Sequence, residues 1–148
     1  MALEAKAAMT EHQKALPRLY DELNSSFQTI NGASGEAIAS AYVLVNAGTT
    51  FISPSRQHPN NPSPVVTTHA QPKAASLVIN TVHQLPRRSA SYKPGYDAIG
   101  ITLIDMANDG SPVTLVSNPP APQSNDIYYY DMMIGRLAHT YSTRFKHL

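Results

Sequence analysis

Six histidines, at positions 12, 58, 69, 83, 139 and 147, are the side chains best suited to hold a metal or move a proton. No two stand three to five residues apart, the spacing that puts two imidazoles on one helix face or turn. His139 and His147 are eight apart, about 12 Å along a helix at 1.5 Å per residue, too far to share an ion. The chain has no cysteine, which excludes disulfides, thiolate zinc sites, iron-sulfur clusters held by thiolates and thiol nucleophiles. The expectation is no metal and no cofactor.

General acid-base chemistry needs a carboxylate within reach of a histidine or of a second carboxylate. Asp131 lies two turns before His139 and Asp126 farther still, so neither reaches it locally. A hydrolase-type site would require folding to bring Asp97 or Asp105 to His83 or His139. Neither G-x-S-x-G nor S-x-x-K occurs, so no activated serine announces itself. No catalytic residues are assigned, and an enzyme ranks behind the non-enzymatic readings.

Charge patterning is more informative. Residues 1–36 hold Glu4, Glu11, Asp21, Glu22 and Glu36 against Lys6, Lys14 and Arg18, whereas residues 37–96 contain no Asp or Glu at all. That acid-free stretch carries Arg56, Lys73, Arg87, Arg88 and Lys93 with three histidines, and "LPRRSASYKPGY" (85–96) concentrates the pattern. Arg87, Arg88 and Lys93 suit phosphate oxygens, while Tyr92 and Tyr96 offer faces on which bases stack, as in single-stranded nucleic acid binding. RNA or single-stranded DNA is therefore an expected partner. A pI near 8.0 is modest for a dedicated nucleic-acid-binding domain, so such contacts would be multiplied by assembly.

The elements that must position these residues read as α+β, mainly helical. Small or apolar residues at 2, 5, 9, 16, 19, 23, 27 and 30, joined by His12, recur every three or four positions and predict a long N-terminal helix, kinked or restarted at Pro17. "EAIASAYVLVN" reads as a further helix, with strand open because of its β-branched end. Residues 53–73 form a proline-rich arm or long loop, and 74–85 reads as helix with strand again open. Asn108-Asp109-Gly110 between apolar runs predicts a β-hairpin over 101–116, the competing reading being a helix ending near Asn108. From Asn125 onward, Ile127, Tyr130, Ile134, Leu137, Tyr141, Phe145 and Leu148 form the stripe of a long C-terminal amphipathic helix. On it Tyr130 is expected in the core, with Tyr128, Tyr129 and Met132 as interface residues.

At 148 residues one domain is expected. The N-terminus shows no signal peptide and no apolar run long enough to cross a bilayer. A cytoplasmic or virion setting without membrane follows. The favoured function is a structural protein that self-associates through amphipathic helices and extended arms, by analogy a viral coat or nucleocapsid-like subunit contacting nucleic acid. A small monomeric or dimeric binding or regulatory domain is the alternative, ahead of the hydrolase.

Overall fold

The computed structural model describes residues 1–54, 63–90 and 92–145. Strand β1 (Ala2–Ala8) leads into helix α1 (His12–Ala33) and strand β2 (Ala39–Asn46), followed by the short strands β3 (Thr50–Ile52) and β4 (Val66–Thr68). Helix α2 (Lys73–His83), strands β5 (Ala98–Asp105) and β6 (Thr114–Val116) and helix α3 (Tyr130–Arg144) complete the order. The main sheet runs β1-β2-β5-β6, with β1, β2 and β5 parallel and β6 antiparallel to β5. Strands β3 and β4 pair antiparallel by themselves.

The composition is α+β with 36% helix and 25% strand, which corrects the expected mainly helical architecture and its long N-terminal helix. Residues 2–8 contain good helix formers, yet β1 pairs with β2 from Ala2↔Ala39 to Ala8↔Val45. Alanine satisfies a three-to-four repeat and a two-residue repeat equally well, and cross-strand pairing overrides a weak local preference. The β-branched run of residues 39–46 likewise becomes the central strand β2 rather than a helix. Pro17 sits inside α1 without ending it. Gln13, whose carbonyl loses its bond, and Pro17 both lie on the solvent side, where water can take the bond.

Successive parallel strands β1, β2 and β5 step across the sheet in one direction, so a constant crossover hand puts α1 and α2 on the same face. There Leu23, Phe27, Val78 and Val82 pack on Val43, Val45, Ile99, Ile101 and Leu103 to form the main core. Helix α3 lies on the opposite face, where Met133 and Leu137 cover Ile38 and Ala98. Gly100 lets it approach, since a Cβ there would stand 2.6 Å from Met133 Sδ.

The chain reverses around Asn108-Asp109-Gly110, pairing Leu103↔Val116 through Asp105↔Thr114. The C-terminal helix starts at Tyr130, later than expected. Asp126 first makes a turn, its carboxylate accepting from Tyr128 N at 2.8 Å, and Tyr128 O then accepts from Ile101 N at 2.9 Å. That bond ties the segment to β5 beyond the end of β6. The centre of the proline-rich arm, residues 55–62, lies outside the described residues. Its flanks are joined at the base by β3 and β4.

Candidate assembly surface

Side chains alternate across the sheet, so the face away from α1 and α2 receives Leu3, Ala5 and Ala7 of β1, Tyr42 and Leu44 of β2, Thr102 and Ile104 of β5 and Leu115 of β6. Helix α3 covers only the end near Ile38 and Ala98. Leu3, Ala5, Ala7 and Leu115 are exposed.

Helix α3 does not close this gap. Its buried side runs through Met133 and Leu137, sharing Leu137 with the stripe expected from the sequence but turning Met133 inward in place of Ile134. Of that stripe Leu137 is buried and Phe145 half-buried, whereas Ile127 (47% exposed), Tyr130 (47%), Ile134 (44%) and Tyr141 (59%) face solvent. Tyr130 meets Tyr42 edge-on at 5.8 Å, which joins the helix flank to the open sheet face. Between them a cleft of about 510 Å³ is lined by Tyr42, Thr102, Leu115, Tyr129 and Tyr130 among others. Isolated exposed apolar residues are ordinary, whereas apolar groups that lie near one another, as Tyr42 and Tyr130 do, are less so.

The three interface residues expected from the sequence divide. Met132 is exposed and Tyr129 half-buried, but Tyr128 is in the core and Tyr130 outside it, the reverse of the expected assignment for those two. Residues 127–129 precede the helix, so helical phase does not apply to them. Tyr128 instead stacks on His83 at 4.2 Å, with the Arg87 guanidinium 5.2 Å from its ring centre.

The five residues of the basic segment do not form one surface. Tyr96 is fully buried, packs edge-on against Phe27 and donates its hydroxyl to Leu23 O at 2.7 Å. Burial pushes its phenol well above the ordinary range. Arg88 is buried too. It donates to Ala37 O at 3.0 Å and to Gly35 O, and its Nη1 stands 3.8 Å from Asp97. Arg87 turns to Tyr128, leaving Tyr92 and Lys93 exposed. Arg88 N bonds Tyr96 O and Tyr96 N bonds Pro86 O, closing the segment on itself. The acid-free region thus supplies β2, α2 and Tyr96 to the core.

On its α1 side β1 carries charge. Lys6 lies 2.9 Å from Glu4 and 2.8 Å from Glu22, and Arg18 donates to Glu22 at 2.6 Å. Lys6 and Arg18 together hold the Glu22 carboxyl down at about 2. Glu4 is lowered, chiefly by Lys6, and Lys6 is raised, chiefly by Glu22. The polarity of β1 is therefore inverted, with paired charges against the helix and apolar side chains towards solvent.

Sequence reasoning missed a polar cluster at the carboxyl ends of the parallel strands. Asn46 Nδ2 donates to Met9 O and Met106 O, while its Oδ1 accepts from Gly48 N and Met106 N. His12 Nε2 meets Asn46 O at 2.8 Å and His69 Nδ1 meets Gly48 O at 3.0 Å, with the two rings edge to face at 4.7 Å. A backbone carbonyl only accepts, so both contacts are N–H donations. His12 completes the helical repeat of 9, 12 and 16, which was its one signal in the sequence. His69 sat in a segment read as exposed arm.

The residues considered for hydrolysis are separated. Asp97 immediately precedes β5 and Asp105 ends it, roughly 26 Å apart at 3.3 Å per residue. Asp97 is committed to Ala39 N, Arg144 and Arg88. His83 stacks on Tyr128, and His139 is exposed on α3. Among the described residues no cluster of three or more metal-binding side chains occurs and no helix is long and apolar enough to cross a membrane. No family model, curated protein or solved structure matches the chain, so the reading of this surface rests on geometry alone.

Proposed function

We propose that this protein is a non-enzymatic structural subunit that self-associates through the open sheet face and the adjoining flank of α3. One observation carries the reading: Ile127, Tyr130, Ile134 and Tyr141, the most regular apolar stripe in the C-terminal sequence, stay exposed beside an uncovered apolar sheet face. Burying apolar area is worth about 25 cal/mol per Å², and association recovers it where the chain's own packing does not. Tyrosine and methionine on the same flank are residues enriched at interfaces.

The test is light scattering after size exclusion over a wide concentration range, with Ile134→Glu and Tyr141→Glu as variants. Concentration-dependent oligomers that either variant shifts towards monomer support the proposal. A wild-type monomer at every concentration overturns it.

A further inference from the structure

Strand β1 is an edge strand, with β2 on one side and no strand of the described residues on the other. Ala2 N donates to Ile38 O at 2.8 Å, so Ala2, Glu4, Lys6 and Ala8 turn their backbone groups to β2. In a parallel ladder the alternate residues Leu3, Ala5 and Ala7 must turn theirs outward. The edge has no proline or bulge. Its only cation, Lys6, points towards α1 and is already neutralised by Glu4 and Glu22, so the usual charged guard of an edge is missing. A cavity of about 600 Å³ runs along this edge between Leu3, Glu4 and Lys6 on the strand and Glu22, Ser26 and Thr29 on α1.

We infer that β1 pairs antiparallel with β1 of a second copy about a twofold axis at Ala5, joining two four-stranded sheets into one. The sequence Ala-Leu-Glu-Ala-Lys-Ala-Ala is self-complementary in that register. Leu3 faces Ala7 of the copy and Ala5 faces Ala5, and all are residues whose backbone groups point outward, so the ladder forms from groups that lack a sheet partner. Glu4 faces Lys6 of the copy, and Lys6 faces Glu4. These fall at non-hydrogen-bonded positions, where facing side chains come closest, and opposite charges there are favourable. No other register within this strand pairs outward-pointing residues while setting both charges against their opposites. An isologous contact closes on itself, so it gives dimers and leaves the apolar faces of both sheets continuous. This inference rests on the self-association proposed above and adds to the face contact a second one, between copies at the sheet edge.

The absence of cysteine makes the register directly testable. At a twofold centre the two Ala5 Cα atoms stand about 5.5 Å apart, inside the range a disulfide spans. Under mild oxidation Ala5→Cys is expected to cross-link at least ~10-fold more than Ala7→Cys, whose two copies sit about 13 Å apart along the strands. Mixed Leu3→Cys and Ala7→Cys proteins should cross-link to each other. Independently, Glu4→Lys and Lys6→Glu should each dimerise ~10-fold more weakly, since each sets like charges face to face, and mixing them should restore dimer because every facing pair becomes opposite. Melting curves check that each variant is folded. If wild type associates but Ala5→Cys shows no preference and mixing restores nothing, the β1 pairing is wrong while self-association stands. A wild-type monomer at all concentrations removes both.

Discussion

Arg144, in the last turn of α3, donates from Nη1 to Oδ2 of Asp97 at 3.2 Å and from Nη2 to Oδ1 of the same carboxylate. The two residues lie 47 positions apart, and their contact pins the end of α3 to the start of β5. Asp97 also accepts from Ala39 N at 2.9 Å and faces Arg88 at 3.8 Å, the side chains of Asp97 and Arg88 being 4% and 2% exposed. One buried carboxylate therefore organises β2, β5, α3 and the closed segment 86–96.

Asp97→Ala should consequently be among the most damaging substitutions in the chain. It removes the carboxylate that faces the buried cation of Arg88 and leaves Ala39 N without its acceptor. Breaking one side of a buried ion pair costs about 3–5 kcal/mol, readable as a lowered urea midpoint. Arg144→Ala should cost less, because Arg88 still faces Asp97. Equal, small losses in both variants would remove Asp97 from this organising role.

The phase of α3 gives a second expectation. Met133→Ala removes a fully buried side chain and should destabilise by about 2–5 kcal/mol. Ile134→Ala, one position on, should change monomer stability by no more than about 0.5 kcal/mol, as exposed substitutions do, while weakening association. Were Ile134→Ala the costlier change to the folded monomer, the helix would be rotated towards the stripe that the sequence favours.

That stripe shows how far the sequence was legible. Periodicity located α2 and α3 and only the part of the expected N-terminal helix from His12 on, and Asp109-Gly110 marked the reversal between β5 and β6. It could not say which face of α3 is inward, because Met133 and Leu137 also stand four apart and the choice depends on Gly100 opposite them. Strand β1 was hidden by alanine, which satisfies both repeats. In "LPRRSASYKPGY" composition suggested side chains turned outward to phosphates and bases, whereas the carboxylate that faces Arg88 comes from the next residue after the segment, and the cavity for Tyr96 from α1. The Asn46 cluster needed three strand ends brought together, information that no local pattern carries.

Gly100 itself supports a third prediction. A methyl group there would meet Met133 Sδ at 2.6 Å and Tyr42 Cδ2 at 3.2 Å, so Gly100→Ala must push α3 from the sheet or force Met133 off its rotamer. Overpacking of this kind costs about 1–3 kcal/mol. Met133→Ala should be less harmful in the Gly100→Ala background than in wild type, since it vacates the space the new methyl needs. A double-mutant cycle in urea measures the coupling, and strict additivity would mean that the two positions do not compete for space.

His12 makes acid sensitivity assignable to a named residue. Burial lowers its proton affinity below the ordinary value, outweighing the carbonyl of Asn46, which favours the charged form, and neighbouring His69 adds to the lowering. Since the folded state holds the proton less tightly than the unfolded chain, the unfolded state gains protons first as pH falls. Stability is then complete above the ordinary histidine value near 6.5 and declines as pH drops below it, until the lower folded value is reached. His83 acts with the same sign, chiefly through the partial loss of water from its ring, one face of which stacks on Tyr128. Urea midpoints measured from about pH 7.5 down to 5.5 should therefore fall in wild type. His12→Gln keeps a side-chain N–H for Asn46 O and cannot titrate, so it should flatten that slope, and adding His83→Gln should flatten it further. An undiminished slope in the double variant would place the acid-sensitive group elsewhere.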